Sequence, residues 1–96
     1  MKHVTYGEKS LLVGDEVSDL LINYAALLGA QGRTNVVTVH AIGSDGNEVD
    51  ASFLLNAATE LMVETASTTA TEPENHLSTG YLLERIEEVG GSFLPH

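Results

Sequence analysis

Cysteine is absent from these 96 residues. Its absence removes disulfide frameworks, a thiol nucleophile and any thiolate metal site together. It also weakens the case for a small secreted scaffold, which usually depends on cross-links. Long apolar runs are missing as well. No stretch approaches the ~18–20 residues that a bilayer-spanning helix needs. The opening MKHVTYGEKS goes straight into polar, strand-like residues without the apolar centre of a leader peptide. A soluble cytoplasmic protein with no membrane partner is the expectation. Basic residues are scarce too: four Lys and Arg stand against fourteen Asp and Glu, a formal charge of −10. Such a field repels phosphate backbones and anionic lipid, so no nucleic-acid partner is expected. The acids either keep a small protein soluble or attract a basic protein partner. Their scatter along the chain favours solubility as the simpler use.

Motifs that carry chemistry are equally thin. His3, His76 and His96 are far apart, and neither HxH nor HExxH spacing occurs. DGNEVD at 45–50 lacks the acid-rich start and the closing bidentate glutamate of a calcium loop. GAQGR at 29–33 follows a helical pattern instead of opening one, so it is no phosphate cradle. Neither metal nor cofactor is expected.

What the chain does have is clear periodicity. Its length suits one domain over 1–96. A domain this small buries only roughly 60–65% of its surface, which makes self-association a useful source of stability. Gly7-Glu8 between two alternating segments predicts a type II′ hairpin that pairs Tyr6 with Lys9 and Lys2 with Val13. Val17, Leu20, Leu21, Tyr24, Leu27 and Leu28 then repeat at helical spacing. Asp15 is the expected cap of this helix, and Gly29 and Gly32 its stop.

Residues 34–42 and 48–55 flank GSDGN, and the length of that turn decides which side chains face inward. A two-residue loop would pair His40 with Ala51 and mix polar with apolar residues on each face. A three-residue loop, Ser44-Asp45-Gly46, closes a type I turn with a left-handed glycine. It gathers Val37, Val39, Ala41, Val49, Ala51, Phe53 and Leu55 on one face, and that clean alternation selects it. His40 then stands opposite Asp50. Residues 60–65 give a further strand with Leu61 and Val63 inward. Residues 65–75 form a Ser/Thr-rich acidic loop, expected to be flexible. Asn75 is the expected cap of a last helix over 76–89 with Leu82, Leu83, Ile86 and Val89 as its stripe.

The order β-β-α-β-β-β-α predicts an α+β fold, with a mainly antiparallel sheet of about five strands and two helices on one face. The other face carries His40 and Asp50, with Thr38 and Ser52 beside them. It also carries Val36, Leu54 and Met62, expected to meet as an apolar contact surface on three neighbouring strands. The SFLPH tail or the 65–75 loop is the alternative cover for that surface. A His–Asp pair has the beginnings of general-base chemistry, but exposed across two strands it is more often a modest sheet contact. The preferred reading is a small acidic non-catalytic interaction or regulatory protein that self-associates or docks a protein partner through its open sheet face. An inhibitor or immunity-type protein for a basic partner is one concrete form. The rival is a small enzyme or ligand-binding protein with a pocket near His40 and Asp50 at a dimer interface.

Overall fold

A computed structural model describes residues 1–90. Residues 91–96 lie outside the described part, and with them the expectation that the SFLPH tail covers the sheet. The chain forms β1 (Lys2–Tyr6), β2 (Lys9–Val13), α1 (Asp15–Ala30), β3 (Asn35–Ile42), β4 (Glu48–Leu55), β5 (Leu61–Thr65) and α2 (His76–Glu88). All strand pairs are antiparallel, in the order β4-β3-β2-β1-β5. The fold is α+β, as the periodicities predict. No helix among the described residues is long and apolar enough to cross a membrane.

Turn chemistry sets both hairpin registers. Gly7 has φ +62° while Glu8 keeps a negative φ, the type II′ arrangement, and Tyr6 faces Lys9. In the longer hairpin Gly43 N–H donates to Asn47 O at 2.9 Å, and Gly46 takes φ +84°. The loop therefore consumes Ser44, Asp45 and Gly46, and His40 pairs with Asp50.

The inward faces of the strands meet α1, and α2 packs beside α1. Val4, Val13, Val37, Val39, Ala41, Phe53 and Leu55 are buried together with Leu20, Leu21, Tyr24, Leu28, Leu82 and Ile86. Val49 and Ala51 share this face, but the expectation that they are buried is corrected. Val49 is 37% exposed and Ala51 is half-buried, because the helical layer does not extend over that end of β4. Leu83 is likewise exposed, so it lies off the buried stripe of α2. Asp15 does not cap α1. It is the first helical residue, and its carboxylate faces the Met1 amino group at 3.1 Å. Gly29 lies inside α1, against Ala57, and the left-handed residue after the helix is Gly32.

The middle of the sheet is incomplete. β2 meets β3 at a single pair, Leu12 with Ile42, because β3 runs on past the end of β2. The edge of β3 left uncovered is closed by α2. The Asn75 side chain accepts from His40 N–H at 2.8 Å and donates to His40 O at 2.9 Å, and Ser78 Oγ donates to Thr38 O at 2.8 Å. Asn75 does occupy the position before α2, but its amide is spent on the strand and makes no cap bond. Tyr24 fixes the far end of the same contact. Its buried hydroxyl accepts from Asn35 Nδ2 at 2.7 Å and from Arg85 Nε at 3.4 Å. Asn35 Nδ2 also reaches the Tyr81 hydroxyl at 2.8 Å.

The sheet is also strongly curled. In a flat sheet β1 and β4 would lie roughly 14 Å apart, three strand spacings, beyond the reach of one side chain. Yet the Tyr6 ring meets Phe53 edge-on, with centroids 5.6 Å apart, and the Tyr6 hydroxyl donates to Leu54 O at 3.0 Å. β1 and β4 are thus drawn toward each other, with Phe53 at the seam. Replacing Phe53 by Ala removes both the core ring and this contact. A loss of about 3–5 kcal/mol in chemical denaturation is expected, and a loss below about 1 kcal/mol would show that the seam carries little of the core.

Candidate interaction surface

The bonds made by α2 also fix the geometry of the outer sheet face. Because His40 N–H and C=O point to Asn75, they cannot be bonded to β4. His40–Asp50 is therefore a non-hydrogen-bonded pair, and so are Thr38–Ser52 and Val36–Leu54, two and four residues along. Side chains of such pairs stand closest together. His40 Nδ1 lies 2.6 Å from Asp50 Oδ1, and the Thr38 and Ser52 hydroxyls are 2.7 Å apart.

This row places the expected site residues plainly. Asp50 orients the His40 ring, but both side chains are at least half exposed. The Ser52 hydroxyl is engaged by Thr38. Among the clefts of 290 to 400 Å³ in the described residues, one is bordered by Asp50 and Ser52, but His40 lines none of these. General-base chemistry needs a reacting group held in an enclosed site beside the base. Here the pair stands on an open strand face. Among the described residues, no three His, Asp or Glu side chains gather closely enough to hold a metal ion.

Val36 and Leu54 are directly paired and exposed. Met62 is not their neighbour: it sits on β5, paired with Thr5 of β1, while β4 is at the opposite edge of the sheet. The expected cluster on three adjacent strands is corrected accordingly. Its third and fourth members come from α2 instead. Leu77 is 90% exposed, and with Tyr81, Val36 and Thr38 it lines a shallow cleft of about 310 Å³ that no charged side chain borders. A signal for Leu77 existed in the sequence. It lies five residues before Leu82, about 140° away from the buried stripe at 100° per residue. An apolar residue that far off the stripe has no internal partner.

A second, larger cleft of about 400 Å³ opens between the β1–β2 hairpin and β4. Val4, Tyr6, Leu11, Val49 and Phe53 are its apolar lining, and Lys9 and Asp45 are its charged lining together with Asp50. Asn47 donates its main-chain N–H and its side-chain amide to Asp45, at 3.0 and 3.1 Å. These bonds hold the Asp45 carboxyl below its ordinary value of 3.8, with a smaller pull from Lys9.

No family model, curated protein or solved structure matches the chain. Its function is read from its own geometry.

The lowered Asp45 carboxyl sets a sign for pH dependence. The turn is stabilised by the ionised form, fully so above 3.8, and the contribution is lost as pH falls through the lowered value. The gap in urea midpoint between wild type and Asp45→Ala is expected to be open at neutral pH and to narrow below 3.8. A gap that does not change with pH would contradict this account of the turn.

Proposed function

We propose that this chain is a small, acidic, non-catalytic interaction protein that self-associates through Val36 and Leu54 of the open sheet face together with Leu77 and Tyr81 of α2. The observation that carries this reading is Leu77, a leucine almost wholly in solvent beside three further exposed apolar or aromatic side chains. Full burial of one leucine is worth about 1.5–3 kcal/mol, so an interface that covers the group has an ample driving force.

The partner favoured by the local chemistry is a second copy of the chain. With a net charge of −10, two copies repel wherever their acids meet. The cleft between β3 and α2 is a place where they need not, because its lining is Val, Thr, Leu, Ser and Tyr. Depletion of charge at the centre of a contact, with tyrosine retained, is the usual composition of an interface core. The polar groups beside it already have partners, Thr38 in Ser52 and the Tyr81 hydroxyl, as acceptor, in Asn35. The Tyr81 O–H is left to donate across the contact. A two-fold axis would bring the same patch from each subunit together.

Leu77→Glu tests the reading, because so exposed a side chain contributes no internal packing. Sedimentation should show a dimer for the wild type, and its association should strengthen from about 0.05 to about 0.3 M salt as the like charges are screened. Leu77→Glu should give a folded monomer by circular dichroism, since two unpaired carboxylates would enter each interface at a cost of several kcal/mol. Leu54→Glu should act in the same direction. A wild type that is monomeric at high concentration, or a dimer indifferent to Leu77→Glu, would overturn the proposal.

A further inference from the structure

The outer edge of β4 carries a second surface, separate from the apolar patch and independent of it. Since His40–Asp50 and Thr38–Ser52 are non-hydrogen-bonded pairs, the main-chain groups of Asp50 and Ser52 point away from β3. β4 is the end strand of the sheet, so no further strand meets them. Among the described residues no other group bonds these N–H and C=O groups. One end of this edge is closed: Leu54 O accepts from the Tyr6 hydroxyl and from Thr59 Oγ1. Of the remainder, Val49 to Ser52 border the 400 Å³ cleft, and Glu48 continues the same edge. The side chains of Asp50 and Ser52 are engaged on the other face. What these two residues offer the cleft is therefore main chain.

We propose that this open seam binds an extended segment of another protein, which adds to β4 as a further strand and alternates apolar with basic side chains. An exposed edge with unpaired amides is a template for strand addition, in which main-chain bonds give affinity and alternate side chains give specificity. Five residues from Glu48 to Ser52 match a strand of about 17 Å at roughly 3.4 Å per residue. Inward side chains of the added strand land on Val49, Tyr6 and Ala51, the part of the cleft's apolar lining that the core leaves accessible. Outward side chains lie beside Glu48 and Asp50, and Asp45 also lines the cleft, against Lys9 as the base there. This charge balance selects Lys or Arg at the outward positions. It also disfavours a second copy of β4, whose own outward residues include Glu48 and Asp50.

The test uses the whole protein and a labelled six-residue peptide of alternating valine and lysine, with a second peptide that carries glutamate in place of lysine. The lysine peptide should bind, shift the amide resonances of Asp50 and Ser52, and weaken as salt is raised. Asp50→Lys and Ser52→Pro should each weaken it roughly tenfold or more. Proline at Ser52 removes an edge N–H without breaking a main-chain bond to β3, although it loses the side-chain bond to Thr38. Leu77→Glu should leave the affinity unchanged, which separates this site from the self-association surface. If Ser52→Pro does not fold, exchange protection of the Ser52 amide on adding peptide to the wild type decides in its place. The proposal is overturned if the lysine peptide does not bind, if the glutamate peptide binds equally well, or if Ser52 gains no protection.

Discussion

The structure depends on how one strand edge is satisfied. β3 extends past the end of β2, and its main-chain groups there have no strand to pair with. An unpaired peptide group shielded from water costs about as much as a lost hydrogen bond. Asn75 resolves this because a carboxamide carries the same acceptor and donor as a peptide unit. It bonds both main-chain groups of His40 along one edge, as a neighbouring strand would. Ser78 continues the ladder to Thr38 O. The first turn of α2 thus replaces a strand, and the Asn35–Tyr24–Arg85 contacts hold the rest of the helix against α1 and β3.

Both candidate surfaces follow from that substitution. With its N-terminal turn against β3, α2 must present the residues on its other sides to solvent, and Leu77 and Tyr81 come to rest beside Val36. The apolar patch is therefore a by-product of docking the helix at a strand edge. At the other end of the same hairpin, β3 and β4 project beyond the helical layer and curl toward β1. Tyr6 ties the curl at Leu54 and Phe53. Beyond the tie the walls separate, leaving Val49 exposed and the main chain of Asp50 and Ser52 at the open edge. The outer pairs, His40–Asp50 and Thr38–Ser52, close their own polar groups and direct attention to what lies on either side of them.

Local chemistry made much of this legible in the sequence. Gly7-Glu8 and Ser44-Asp45-Gly46 specify their turns, and strict alternation admits one register for each hairpin, so His40 opposite Asp50 could be read in advance. Helical spacing found the α1 stripe for the same reason. What could not be read depended on partners distant in sequence. Nothing in residues 56–60 tells whether the next strand returns beside β4 or crosses to β1, so alternation alone does not place Met62. Asn75 has the propensity of a cap, but its amide bonds a strand 35 residues earlier in the chain. Alternation assigns Val49 to the inner face without telling where the facing layer ends. Leu77 lies outside the stripe that packs α2, so helical periodicity gives it no role, although that displacement is what makes it available.

Amide hydrogen exchange at His40 tests the substitution of helix for strand most directly. In the wild type the His40 amide should be protected despite its exposed side chain, alongside the Val39 and Ala41 amides bonded to β4. In Asn75→Ala the protection should be lost at His40 and retained at Val39 and Ala41. Free exchange of the His40 amide in the wild type, or protection there that survives Asn75→Ala, would contradict the account.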